Sequence, residues 1–232
     1  MNALILAAGK GSRLGVIGEE TPKPLLEVGG KPILARHLEN CARHGVRNVF
    51  INTHHLAEKI KSFGGDGSQW GLQITYSFEP LLLGTSGAVN SFRGMLGSED
   101  FFVIYGDNLL EVDLSAMKAA HVGSAPDATI ALHHREDVST SGMVVCDESG
   151  RINRFVEKPA PHERVSDLVN AGVYCLAPAV LDLIPTTGES DFGRDIFPRM
   201  LSEDRFLCGF VLESSVLPVD TPELLAQARQ SV

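Results

Sequence analysis

The chain has few cysteines: only Cys41, Cys146, Cys175 and Cys208 occur in its 232 residues, with no Cys-x-x-Cys among them. Widely spaced within apolar segments, they argue against a disulfide framework or a zinc site and read as buried, reduced thiols. Positive charge is also scarce, with 20 Lys and Arg against 29 Asp and Glu and a net charge of −9. That balance disfavours a nucleic-acid surface, which needs clustered cations against the phosphate backbone. No apolar run approaches the ~20 residues of a membrane span, and no basic segment precedes the first apolar run, as a signal peptide would require. A cytoplasmic protein with no membrane partner is therefore expected. There is no low-complexity tract and no repeat at solenoid periods. Two phosphate-binding fingerprints are missing as well. No G-x-x-x-x-G-K-[ST] occurs, and Leu14 stands where the dinucleotide motif begun by Gly9 and Gly11 needs its third glycine.

What is present begins at the N-terminus. Ala3 to Ala8 is an uninterrupted apolar run, as expected of a strand buried on both faces of a parallel sheet. It stops at Gly9, and the following loop carries Lys10, Gly11, Ser12 and Arg13, then Pro22-Lys23-Pro24. Small residues let backbone N–H groups approach an anion closely, and three cationic side chains neutralise it, so the loop suits a polyphosphate. The prolines fix φ on either side of Lys23 and stiffen its placement.

Leu6-Ala7-Ala8-Gly9-Lys10-Gly11-Ser12-Arg13-Leu14 followed by Thr21-Pro22-Lys23-Pro24 resembles the signature of the sugar-1-phosphate nucleotidyltransferases. Further motifs follow in the order that family shows. Gly84-Thr85-Ser86-Gly87-Ala88 resembles its LGTAGA segment, although Gly and Thr also commonly start a helix. Gly106-Asp107-Asn108 closes the apolar run Phe101 to Tyr105, Glu157-Lys158-Pro159 resembles an EKP motif, and Asn170-Ala171-Gly172 resembles an NAG motif. Near the end the family carries an aspartate near a Thr-Pro that opens the last helix, often as DxGTP or DxDTP. Here Pro218 takes the first acidic position, leaving Asp220, which could equally belong to the start of the last helix.

The resemblance implies an α/β fold, a Rossmann-like three-layer sandwich with a mainly parallel mixed central sheet and a small antiparallel sugar-binding addition. It implies a single nucleotidyltransferase domain over residues 1–232, with a nucleotide-binding part at about 1–125 and a sugar-phosphate-binding part at about 126–232. Leu6, Ala7, Ala8, Gly9, Gly11, Ser12, Arg13, Lys23, Gly84, Thr85, Ser86 and Gly106 are then expected at the nucleotide. Asn108, Gly142, Glu157, Lys158, Asn170 and Gly172 are expected at the sugar phosphate, and Asp107 and Asp220 on Mg²⁺, with Arg13, Lys23 and Asp107 as the catalytic group. A carboxylate at the carboxyl end of a central strand lies where open α/β sheets bind ligands, and its hard oxygens suit Mg²⁺. The adjacent His54 and His55 lack a completing ligand and read as loop or capping residues.

The implied reaction joins a nucleoside triphosphate and a sugar 1-phosphate, by in-line attack on the α-phosphorus with release of pyrophosphate. Leu83-Gly84-Thr85 and Asp191-Phe192-Gly193-Arg194-Asp195 resemble the mannose- and heptose-1-phosphate guanylyltransferase branch, favouring GTP. Uridylyl- or cytidylyltransferases acting on another sugar or alditol phosphate stay open. So do a catalytically idle nucleotide-sugar-sensing subunit and a homodimeric assembly. A dinucleotide-dependent oxidoreductase conflicts with the missing third glycine.

Overall fold

The computed structural model describes residues 1–214 and 216–231. The chain divides into two compact units, one of Met1–Leu82, Val103–Leu114 and Val216–Val232, the other of Leu83–Phe102 and Ser115–Ser215.

In the first unit, strand Asn2–Leu6 pairs in parallel with Asn48–Thr53, which in turn pairs in parallel with Gln73–Phe78. Ala3, Leu4 and Ile5 are completely buried, the environment their unbroken apolar run anticipates. Helix Ile33–Arg43 buries Ile33, Leu34, Leu38 and Cys41 along one face, and Gly45 adopts the left-handed φ of +73° that ends it. The first strand starts one residue before the apolar run Ala3 to Ala8 and ends two before it does, a difference of the size that fraying ends give. Two small ladders complete the unit. Glu27–Val28 pairs with Lys31–Pro32, and Asn108–Leu109 pairs with Leu217–Pro218.

The second unit is largely antiparallel. Strand Leu168–Leu176 pairs with Ala128–His134, and at Val169 with Met143 of Gly142–Cys146, which pairs with Ile152–Glu157. Leu207–Val211 borders Ala128–His134 in parallel. A π-helical turn, Phe192–Ile196, runs into helix Phe197–Ser202. Tyr174 and Phe155 pack around Phe197 at ring-centroid separations of 4.9 and 5.3 Å. Helix Leu114–Ser124 occupies a stretch to which the sequence reading assigns no element. The α/β class with a parallel sheet and antiparallel additions is the one observed.

Among the described residues, no helix is long and apolar enough to cross a membrane. All four thiols are unbridged. Cys41 and Cys175 are buried, whereas Cys146 and Cys208 are only half-buried; Cys146 ends its strand, and Cys208 bridges to Arg151.

Candidate active site

In the first unit, four segments far apart in sequence are brought together by one apolar cluster. Leu14, Leu26, Val28, Ile33, Leu109, Val219, Leu225 and Ala228 pack as a buried group. Each buried Leu, Val or Ile side chain contributes roughly 1.5–3 kcal/mol. Leu14 follows Arg13, Leu26 comes three residues after Lys23, Leu109 two after Asp107, and Val219 directly precedes Asp220. The cluster therefore anchors the backbone beside each of the four polar groups. The ladder that registers Asn108 against Pro218 adds direction, bringing Asp107 and Asp220 onto one ammonium.

That ammonium is Lys23. Pro22 holds the extended φ of −65°, and residues Lys23–Leu25 close a 3₁₀ turn through Leu26 N–H to Lys23 O. The side chain turns inward and is only 10% exposed. Its Nζ donates to Asp107 Oδ2 at 3.0 Å and to Asp220 Oδ1, while Arg13 Nη2 lies 2.9 Å from Asp220 Oδ2. Burial alone would lower the Lys23 pKa, but Asp107 and Asp220 outweigh it and hold the group above its ordinary value. For Asp220, burial pushes the carboxyl up, but Lys23 and Arg13 outweigh it and hold the group below the usual range. Asp220 does not cap the final helix. Thr221 does, accepting from Leu224 N–H at 3.3 Å.

The loop between strand Asn2–Leu6 and Lys23 is folded on itself. Gly11 has a φ of +66°, and Gly18 packs so closely that a Cβ there would lie 2.3 Å from Gly11 O. His55 Nε2 donates to Gly18 O at 2.9 Å, and His54 Nδ1 is 2.7 Å from Glu79 O. Both histidines thus tie loops, as expected. Gly106 N–H donates to Leu6 O at 2.9 Å, and a side chain at Gly106 would collide with that same oxygen. Ser12 sits in the 3₁₀ turn Ser12–Leu14 beside Arg13, and Ala7 and Ala8 are buried at the strand end. Asn108 lies in the small ladder next to Asp107.

Three supporting residues of this unit escaped the sequence reading. Asn52 Oδ1 accepts from Ala7 N–H at 2.8 Å while its Nδ2 donates to the buried Glu79 Oε1 at 2.8 Å, fixing the first peptide of the loop. His37, buried in the apolar stripe of its helix, bonds the backbone of Asn108. The available signals were a polar residue ending an apolar strand run and a histidine at a core position of an amphipathic helix.

In the second unit, the Gly84–Gly87 turn is braced from within. Ser86 and Gly87 N–H donate to Ser190 O at 3.0 and 3.1 Å, and a Cβ on Gly84, at φ +75°, would meet that oxygen at 2.3 Å. Thr85 Oγ1 donates to Asp191 Oδ2 at 2.6 Å and accepts from Phe192 N–H at 2.9 Å. Asp191 also accepts from Gly193 and Arg194 N–H, so it caps the π-helical turn, a role foreshadowed by an aspartate two residues before a glycine.

Glu157 ends its strand in a space that glycines provide. A Cβ at Gly193 would be 2.6 Å from Glu157 Oε2, and one at Gly142 would be 2.9 Å from it. Burial, and then the charge of Asp191, push the Glu157 carboxyl up, against the opposing pull of Lys158 and Arg194. Lys158 has the left-handed φ of +51°, a strained state of the kind found at functional positions. Asn170 and Gly172 form a bulge inside strand Leu168–Leu176. Gly172, at φ +78°, donates its N–H to Asn170 Oδ1 at 2.8 Å, and Asn170 Nδ2 donates to Tyr174 Oη at 2.7 Å.

These features define a protein whose first unit gathers cations and carboxylates at the end of a parallel sheet. The sequence profile described as Nucleotidyl transferase matches residues 2–215, and the chain belongs to that family. It is 37% identical over 214 residues to a UTP–glucose-1-phosphate uridylyltransferase from Synechocystis sp., covering 87% of this chain and 55% of that protein. It is 34% identical over 224 residues to a mannose-1-phosphate guanylyltransferase from Mycobacterium tuberculosis, covering 96% of this chain and 62% of that one. The chain thus spans little more than half the length of these curated relatives. Among solved structures, HddC from Yersinia pseudotuberculosis, complexed with GMP-PN, superposes with a TM-score of 0.81 at 24% identity, covering 99% of this chain and 98% of that one. A candidate glucose-1-phosphate thymidylyltransferase from Bacillus anthracis, in complex with sucrose, gives 0.90 at 24% identity, covering 100% and 94%. These two likenesses establish the fold.

Proposed function

We propose that the protein transfers a nucleotidyl group from a nucleoside triphosphate to a sugar 1-phosphate, releasing pyrophosphate. The observation that carries this reading is the cluster of Lys23, Asp107, Asp220 and Arg13 in the first unit. A sugar phosphate is already largely ionised near neutral pH, with a second pKa of about 6, so no general base is required. What the reaction needs is charge cancellation and alignment between two anions. Arg13 and Lys23 neutralise the triphosphate and the departing pyrophosphate, with the Leu6, Ala7, Ala8, Gly9, Gly11 and Ser12 backbone against the nucleotide. Glu157 accepts from sugar hydroxyls and Lys158 takes the sugar phosphate, with Gly142, Asn170 and Gly172 shaping that pocket.

Asp107 and Asp220 fit Mg²⁺. Their carboxylates already reach a single positive charge, Lys23 Nζ, and two hard oxygen donors leave room for the waters and phosphate oxygens that Mg²⁺ prefers. When bound, the ion supplies polarisation of the phosphoryl oxygens and a template for substrates. Among the described residues no group of three His, Cys, Asp or Glu side chains is placed to hold a metal. A substrate-assisted ion held by two carboxylates suits that donor set.

GTP with a mannose- or heptose-type sugar is the favoured pair, supported by the guanylyltransferase relative. A uridylyl-transferring enzyme is the second reading, favoured by the 37% identity to the glucose-1-phosphate enzyme. A matrix of nucleoside triphosphates against sugar 1-phosphates, scored by pyrophosphate release, tests both. Highest kcat/KM with UTP or CTP would overturn the guanylyl assignment. Tight nucleotide-sugar binding without turnover would instead support a sensing subunit.

A further inference from the structure

We propose that Lys23 is the resident counter-ion of the Asp107–Asp220 pair, and that a divalent cation binds those carboxylates only by displacing it. The inference rests on the nucleotidyl-transfer reading for the assignment of the two carboxylates to metal.

Both oxygens of Asp220 are occupied by cations, Oδ1 by Lys23 Nζ and Oδ2 by Arg13 Nη2. Metal ligation by Asp220 therefore has to use the remaining lone pair of an oxygen that already accepts from a cation, which brings the ion up against that cation. Among the described residues Arg13 forms its ion pair with Asp220 and its side chain is 65% exposed, so it lies at the outer side of the pair. Lys23 alone spans both carboxylates, with its side chain 10% exposed. It thus stands between the oxygens that would share an ion. Two cations cannot occupy that position together, because like charges at such separation in a partly buried site repel strongly. The backbone of Lys23 is held by Pro22, Pro24 and its 3₁₀ turn, but the four-carbon stem with a rotatable ammonium can swing.

The exchange has a functional consequence. Without metal, the charge of Lys23 is spent on Asp107 and Asp220. With metal bound, the ammonium is released on the same loop that carries Arg13 and becomes available to a polyphosphate. Metal binding and the arming of Lys23 become a single event, which favours binding of the metal–nucleotide complex over the bare nucleotide.

Mn²⁺ binding to the nucleotide-free protein, followed by the electron paramagnetic resonance signal of the unbound ion, tests this. Thermal unfolding with EDTA and with Mn²⁺ gives a second readout. The expected result is that Lys23→Met binds Mn²⁺ about tenfold more tightly than wild type, the weight of one partly buried ion pair. It should unfold at a lower temperature in EDTA and recover more on adding Mn²⁺. Lys23→Gln, whose amide still donates to a carboxylate, should fall between and serves if the methionine variant does not fold. Asp107→Asn should weaken Mn²⁺ binding in either background. Equal Mn²⁺ affinity in wild type, Lys23→Met and Lys23→Gln, lost in Asp107→Asn, overturns the exchange and leaves the metal pair standing. Absence of Mn²⁺ binding in every variant overturns the exchange, whereas pyrophosphate release, scored separately, decides the nucleotidyl-transfer reading on which the metal assignment rests.

Discussion

His37 offers a perturbation whose size follows from its surroundings. His37 is 4% exposed on helix Ile33–Arg43, and its Nε2 has no hydrogen-bond partner among the described residues. Burial pushes its pKa from the ordinary 6.5 down to about 4, against a smaller upward pull from its hydrogen bond to the Asn108 backbone. The folded state therefore favours the neutral ring, whereas the unfolded chain takes up a proton near 6.5. The resulting stability is fully present above that pH and is lost as pH falls from about 6.5 through about 4. At about 1.36 kcal/mol per pKa unit the loss is roughly 3 kcal/mol, on the order of 10 °C in Tm for a chain of this size. His37→Gln can keep a bond to Asn108 and does not titrate. Its Tm should fall less steeply than that of wild type between pH 7 and pH 4, and the two curves should converge or cross. His121 and His133, whose pKa values are also lowered chiefly by burial, are present in both proteins and cancel in the comparison. Parallel Tm–pH profiles for the two proteins would refute the account of a buried, neutral His37.

Three further outcomes test the site. Asp107→Asn should retain the fold and lose at least about 10²-fold in kcat, the scale of several kcal/mol of charge stabilisation, measured by pyrophosphate release; near-normal turnover would remove Asp107 from the catalytic group. Gly18→Ala forces the loop off Gly11 O, which a Cβ would approach to 2.3 Å. A repacking cost of about 1–3 kcal/mol should appear as a KM for the nucleoside triphosphate raised about tenfold or more, and an unchanged KM would show that the closed loop is not the binding form. Gly193→Ala pushes a methyl to 2.6 Å from Glu157 Oε2. The KM for the sugar 1-phosphate should rise about tenfold while that for the nucleotide stays level, and the opposite pattern would take Glu157 away from the sugar.

Much of the scaffold was legible in the sequence because the signals are local. The apolar run Phe101 to Tyr105 is a strand over those same residues. Helix Ile33–Arg43 follows from its apolar stripe and terminal glycine. The residues Arg13, Lys23, Asp107 and Asp220 stood out because each lies at a fixed place in an ordered set of motifs. The same local patterns were ambiguous for Gly84 to Ala88, whose hydroxyl and N–H groups the structure engages with Ser190 and Asp191.

By itself, then, the sequence determined the elements with strong local periodicity, the family resemblance and the identity of the charged residues, since these depend on periodicity, turn chemistry and motif order, whereas helix Leu114–Ser124 was not legible in it. Tertiary structure alone decided how those residues are used. Lys23 meets Asp220 across 197 positions, Asn52 reaches Ala7 across 45, and Thr85 reaches Asp191 across 106. A local pattern states what a side chain can donate or accept. Which partner it finds depends on the packing of the Leu14, Leu109 and Val219 cluster and on strand register, and these are set by the burial of surfaces that are distant along the chain.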